Sequence, residues 1–266
     1  MLAGLERELH RVSAALPHAS LSLLHEAATS LRLPDRSRFV GEHIEGLHLR
    51  GATLGQPLFE RCTLQRSVLE SCDMSGVRFF ARTVVDACQF TRVDFRASGL
   101  NDTVFRDCVF DTCDFRQGRF DACVLDGCTF INCRIVDTGM PAHATTGCRF
   151  EGVLKDVRFV GAGAPALLEA DFSACVLDYV SFENCRLDKV IPPLDPRHVF
   201  LPDIAARARR ALEALSAAPA DAATMVLTRR LRRYAQMQGD ILNLDNLRHV
   251  EEPAVAEALI AALVGD

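Results

Sequence analysis

The sequence predicts a mainly β fold: a four-sided parallel coil with α-helical segments at both ends. Three observations carry this. Large apolar residues recur every five positions from Leu49 to Leu187, with a one-residue slip between Phe79 and Val85, a break at Thr145 and small shifts from Leu154 through Leu167. All eleven cysteines sit two residues before such a centre, and both flanks place apolar residues at helical spacing. A helix needs a period of 3.6 and a strand a period of 2.0, so a period of five kept over more than 100 residues fits neither element continued.

From the N-terminus, Leu2, Leu5, Leu9, Val12 and Leu16 follow a three-four spacing, as do Leu21, Leu24, Ala28 and Leu31, with Pro17 and Pro34 as breaks. Residues 1–38 are therefore expected to form two amphipathic helices in a hairpin that caps the coil. Glu6, Arg7, Glu8 and Arg11 interrupt the first leucines, which is wrong for a secretory signal, and a cytoplasmic location is expected.

Residues 39–192 carry the repeat of small, any, large, any, any. A chain that turns a corner every five residues sends the small and the large residue inward and the other three outward. Four sides make a coil of about 20 residues, and coils stack at about 4.8 Å through parallel ladders. Residues 20 apart then stand over one another, so Phe90, Phe110, Phe130 and Phe150 form one column and Cys88, Cys108, Cys128 and Cys148 its neighbour. Two stretches, MPAHATTG at 140–147 and VGAGAPA at 160–166, break the spacing and are expected to form loops.

Beyond Pro192, Pro193 and Pro196 the chain turns rich in Ala, Leu and Arg, and residues 193–266 are expected to be helical. Asp203 and Asp221 are read as N-caps, Gly239 as a stop and Pro253 as a start, for helices near 203–216, 222–238 and 253–263.

The segment TCDFRQGRFDACVLDGCTFINCRI, residues 112–135, resembles the pentapeptide-repeat family at each step, and the resemblance extends over residues 39–192. It implies a right-handed four-sided β-helix of between seven and eight coils, about 37 Å long.

The chemistry of the side chains points away from catalysis. Cysteine spacings of 5, 10, 15 or 20 follow the repeat, not the close pairs a metal site uses, so the thiols are read as core filler. No histidine pair has zinc-binding spacing and no glycine motif cradles a phosphate. An enzymatic site would need a pocket lined by His198, Asp203 and arginines. No catalytic residue, cofactor or metal is assigned. The candidate partner-binding residues are Arg229, Arg230, Arg232 and Arg233, the one dense basic run, and His143 in the first expected loop. Leu259, Ile260 and Leu263 form an apolar strip suited to a homodimer contact or to capping the last coil.

The function expected is that of a non-enzymatic scaffold binding a protein partner through its coil faces, loops or helical ends. The net charge of −5 argues against direct nucleic-acid binding, and no membrane segment is expected. The resemblance implies an alternative, because some family members protect type II topoisomerases such as DNA gyrase from quinolones with an acidic rod that mimics duplex DNA. Residues 39–192 hold 21 acidic and 16 basic residues, which is the sign mimicry needs. Duplex DNA presents about 20 charges over such a length, so the net of five falls well short.

Overall fold

A computed structural model of the chain describes residues 28–29, 31–120, 122–216 and 221–265. Most of the expected N-terminal helical hairpin therefore lies outside the described residues. Its last part is not helical: Ala28–Thr29 is a strand paired with Leu49 and Arg50, and Arg32 bridges Thr53. Ala28 and Leu31, read as helical positions, instead supply the layer beneath the first repeat, whose lower backbone groups need partners.

The coil has four sides. One sheet stacks His48–Arg50, Val68–Glu70, Gln89–Thr91, Val109–Asp111 and Thr129–Ile131 under Cys148–Val160. A second stacks His43–Glu45, Thr63–Gln65, Thr83–Asp86, Thr103–Arg106, Val124–Asp126 and Thr145–Thr146. The third begins with Arg38–Val40, Leu58–Glu60 and Arg78–Phe80 and continues as single bridges through Gly99 and Arg119. The fourth consists of bridges linking Arg32, Thr53, Asp73, Asp94, Asp114 and Arg134. All of these pairings are parallel.

Each corner is made by a residue at positive φ. Among the described residues, twenty non-glycine residues adopt it, and from Gly41 to Asp137 they recur with glycines about every five residues. The left-handed conformation costs a non-glycine residue roughly 1–2 kcal/mol. Most corner N–H groups recover a bond by donating to the carbonyl of the coil above: Arg92 to Asp111 at 2.8 Å, Asp107 to Asp126 at 2.8 Å, Thr112 to Ile131 at 2.8 Å. The centres fill the interior. Phe90, Phe110, Phe130 and Phe150 stack with ring centroids 4.9–5.0 Å apart.

The one-residue slip between Phe79 and Val85 has a local cause. Ala81 and Arg82 are consecutive left-handed residues, so that corner holds two where its neighbours hold one, and the pairing offset changes from 20 to 21. The expected loop at 140–147 is instead coil: Ile135–Pro141 pairs with Cys148–Val160, Ala142–Ala144 is one 3-10 turn, and Thr145 sits buried in the column of Leu125. The Thr145 hydroxyl donates to the Pro141 carbonyl at 2.8 Å, which lets a threonine hold a centre without breaking the layer. At 160–166 the coil does bulge outward, and it returns with Leu168, not Leu167, as the fully buried residue.

Among its described residues the C-terminal region contains four helices: α1 (Ile204–Leu215), α2 (Ala222–Tyr234), α3 (Leu244–Val250) and α4 (Pro253–Val264). Asp221 caps α2 by accepting the Thr224 N–H at 2.8 Å. Asp203 forms no side-chain cap and pairs with Arg207 within α1. Helix α2 stops at Tyr234, short of the expected Gly239, because the chain must straighten into the strand Asp240–Asn243, which runs antiparallel to His198–Leu201. Alternation along that strand sends Ile241 into the coil core and Leu242 into the helical core, so it joins the two. Among the described residues no helix is long and apolar enough to cross a membrane.

The double corner makes a testable difference between two deletions. Removing Ala81 leaves one left-handed residue at its corner, and the thermal midpoint is expected to move by no more than about 3 °C. Removing Ala97 takes the sole corner residue of its repeat, and a fall of more than about 10 °C is expected, both read by circular dichroism.

Candidate functional site

All eleven cysteines are buried and free. Most donate their S–H to a main-chain carbonyl one coil below: Cys108 to Val85 at 3.4 Å, Cys113 to Phe90 at 3.3 Å, Cys133 to Phe110 at 3.2 Å. Burial pushes the thiols of Cys175 and Cys185 up to about 12. In the stacked column, the thiol of Cys128 and then burial hold Cys148 protonated. Among the described residues no group of three or more His, Cys, Asp or Glu is placed to hold a metal ion.

Several acidic side chains on the coil are tied to arginines. Arg66 pairs with Glu45, Arg92 with Glu70 and Arg106 with Asp126 across coils, while Arg96 and Arg116 fold back on Asp94 and Asp114. Such exposed pairs each add little stability, but they neutralise the wall locally.

Chemically richer surroundings occur where the last coil meets the helices. A cleft of about 270 Å³ opens there, walled by Tyr179, Val180 and Leu247, with Arg230, Arg233, Tyr234, Asp240 and Glu251 among its polar residues. Arg230 Nε lies 2.6 Å from Glu251 Oε1 yet is not aimed to form a hydrogen bond. Asp240 is 7% exposed and accepts the Ile241 N–H at 2.9 Å. Burial pushes its carboxyl up to about 6, against the pull of Arg233. Tyr234 is pushed up to about 12 by burial and then by the charge of Asp240. Two guanidinium groups, two carboxyls and a phenol between apolar walls can hold a group carrying both signs.

The structure separates the residues singled out from sequence. Arg230 and Arg233 line this cleft, whereas Arg229 and Arg232 are exposed on α2 and His143 is exposed on its 3-10 turn. Leu259 and Leu263 are fully buried within the helical core with Ile204 and Leu231, and Ile260 is half-buried. His198 and Asp203, named as conditions for an enzymatic pocket, are not in the cleft. His198 is buried, with the Leu177 N–H donated to its Nε2 at 3.1 Å, and Asn243 Nδ2 donates to the Leu177 carbonyl at 2.8 Å. Both side chains close the open edge of the last coil. Asp240 and Glu251 were missed by sequence reasoning. The available signal was an acidic residue heading the short apolar strand DILN.

Residues 88–127 match the sequence profile of pentapeptide repeats, in eight copies. Among solved structures, a trypsin-treated form of QnrB1, a plasmid-mediated fluoroquinolone resistance protein, is 18% identical with a TM-score of 0.32, the match covering 59% of this chain and 91% of that one. HetL, a pentapeptide repeat protein involved in heterocyst differentiation regulation in the cyanobacterium Nostoc sp. strain PCC 7120, is 14% identical with a TM-score of 0.27, covering 70% and 96%. No curated protein sequence matches the chain.

Two outcomes are expected. A thiol reagent applied to the native protein reacts slowly, and the eleven groups titrate together only after denaturant is added. For Asp240, the folded value near 6 lies above the ordinary 3.8, so its contribution to stability is fully present below about pH 4 and is lost as pH rises through about 6. Asp240→Asn is expected to remove that pH dependence and to be the more stable form at pH 7.5, by about 3 kcal/mol, in denaturant titrations.

Proposed function

We propose that this chain, a pentapeptide-repeat protein, is a rigid non-enzymatic scaffold that binds a protein partner through its C-terminal end. One observation carries this reading. Among the described residues eight large apolar side chains are left exposed. Val124, Val153 and Val160 lie along the coil, and the other five, Tyr179, Ile191, Leu194, Met225 and Val250, lie on the last coil or beyond it, with Leu194 the most exposed at 81%. Exposed apolar side chains gathered in one region are a common mark of a protein interface.

The coil supports the reading as a mount. Its walls are backed by stacked phenylalanines and several of its acidic groups are paired with arginines, which supports a mount whose partner binds at the end over a DNA-mimicking acidic face. The cleft lined by Arg230 and Asp240 opens at the same end.

Affinity capture from the source cells tests this with the wild type beside an Ile191→Asp, Leu194→Asp variant. The wild type is expected to retain one stoichiometric protein that the variant loses. Identical recovery on both, whether of DNA gyrase or of nothing, would sink the proposal.

A further inference from the structure

The third side of the coil carries a regularity that ion pairs absorb only at its first arginine, Arg38. At the outward position before each buried centre, Arg38 stands over Leu58 and Leu58 over Arg78, and bridges join Arg78 to Gly99 and Gly99 to Arg119. The Thr138 hydroxyl then donates to the Gly118 carbonyl at 3.0 Å, which sets Gly139 over Arg119, and Gly139 pairs with Arg158. Arginine therefore occupies every second coil, with a leucine or a glycine between. At about 4.8 Å per coil the arginines stand about 9.6 Å apart, and Arg78 to Arg158 spans about 19 Å.

Arg38 is engaged by Glu60. Arg78, Arg119 and Arg158 are exposed and, among the described residues, hold no ion pair. On the other sides of the coil Arg50, Arg66, Arg92, Arg106 and Arg149 all do. The glycines leave room between the free guanidinium groups. A side chain added at Gly139 would meet nothing within 4 Å, and one at Gly99 would meet only Arg78, at 3.8 Å. A shallow cavity of about 380 Å³, lined by Gly118, Arg119, Asp137, Thr138 and Gly139 among others, continues this opening. Of the positions that follow each centre on this side, Phe80, Asn101 and Val160 are uncharged, Pro141 is buried, Glu60 is taken up by Arg38 and Arg61, and Asp121 follows Phe120 in the sequence, while Asp102, Asp137 and Asp156 stand at corners.

We propose that this arginine ladder docks an extended acidic peptide of a protein partner, with carboxylates at every third residue. The proposal rests on the scaffold reading and names the chemistry of what the scaffold holds. A polyproline-type strand rises about 3.1 Å per residue and returns to the same side every third residue, so its carboxylates lie about 9.3 Å apart, close to the pitch of the ladder. Guanidinium and carboxylate match as two-pronged pairs, and the glycine gaps receive the intervening backbone. Duplex DNA, with a phosphate per strand about every 3.4 Å of axis, would leave most phosphates facing no arginine.

Fluorescence anisotropy with a labelled seven-residue peptide, acidic at its first, fourth and seventh positions, tests the ladder on the full chain. Binding is expected, with a loss of about tenfold for each of Arg78→Gln, Arg119→Gln and Arg158→Gln. The triple variant Arg50→Gln, Arg92→Gln, Arg149→Gln on the opposite side of the coil is expected to bind as the wild type does. Unchanged affinity in the ladder variants would overturn the proposal, as would tighter binding of a peptide with its three carboxylates adjacent, or of duplex DNA. Because the peptide is supplied directly, its failure to bind leaves capture through Ile191 and Leu194 standing, and failed capture leaves peptide binding standing.

Discussion

A left-handed corner every five residues, with its N–H donated into the coil above, is the constraint from which the rest of this structure follows. The corner costs conformational energy at residues such as Thr112 and Ala97, which have no intrinsic preference for positive φ. It persists because the alternative is worse. Without the turn the large centres would not face inward, and each buried phenylalanine contributes roughly 1.5–3 kcal/mol of transfer free energy. Corner strain and core burial are thus two sides of one arrangement, and the ladder bonds keep them in step from coil to coil. At Ala81 and Arg82 the corner takes an extra residue and the register changes by one, with the parallel pairing kept on either side.

The same constraint explains the cysteines. The position two before each centre lies close to the backbone of the neighbouring coil and has room for a small side chain only. A thiol fills it and can still donate weakly to a carbonyl such as that of Val85 or Phe110. Stacking also creates a problem at the end, where the last coil has no coil above it. His198 and Asn243 meet this with side chains that bond the main chain of Leu177, and the strand between Asp240 and Asn243 then carries the helices. The cleft is a by-product of that junction, which is why its charged groups come from three separate parts of the chain.

A coil converts sequence distance into spatial pitch, so charge on its walls is arranged in columns. In one column Arg106 and Asp126 neutralise each other, and in another the arginines alternate with glycines and stay free. Net charge hides this difference. A chain with an acidic total can present a basic strip on one side and an apolar, mixed-charge end, and those local features decide what it can hold.

Much of the fold was legible in the sequence because each repeat is a local unit whose small and large residues have one inward solution. The column of Phe90, Phe110, Phe130 and Phe150 and the burial of every cysteine follow from counting. The period could not say that Thr145 would keep its layer, since that depends on a hydroxyl finding the Pro141 carbonyl. Nor could it foresee that Leu259 and Leu263 would be consumed inside the helical core, or that residues 28–29 would pair as a strand. Of the candidate site, the arginine run was visible but its division was not: Arg230 and Arg233 turn to the cleft while Arg229 and Arg232 do not. By itself, then, the sequence determined the period, the inward set and the stacking, because these rest on neighbours a fixed number of residues apart. The tertiary structure decided how the coil ends and which charges are left free, because those depend on groups brought together from distant parts of the chain, as Asp240 and Tyr179 are, with no period linking them.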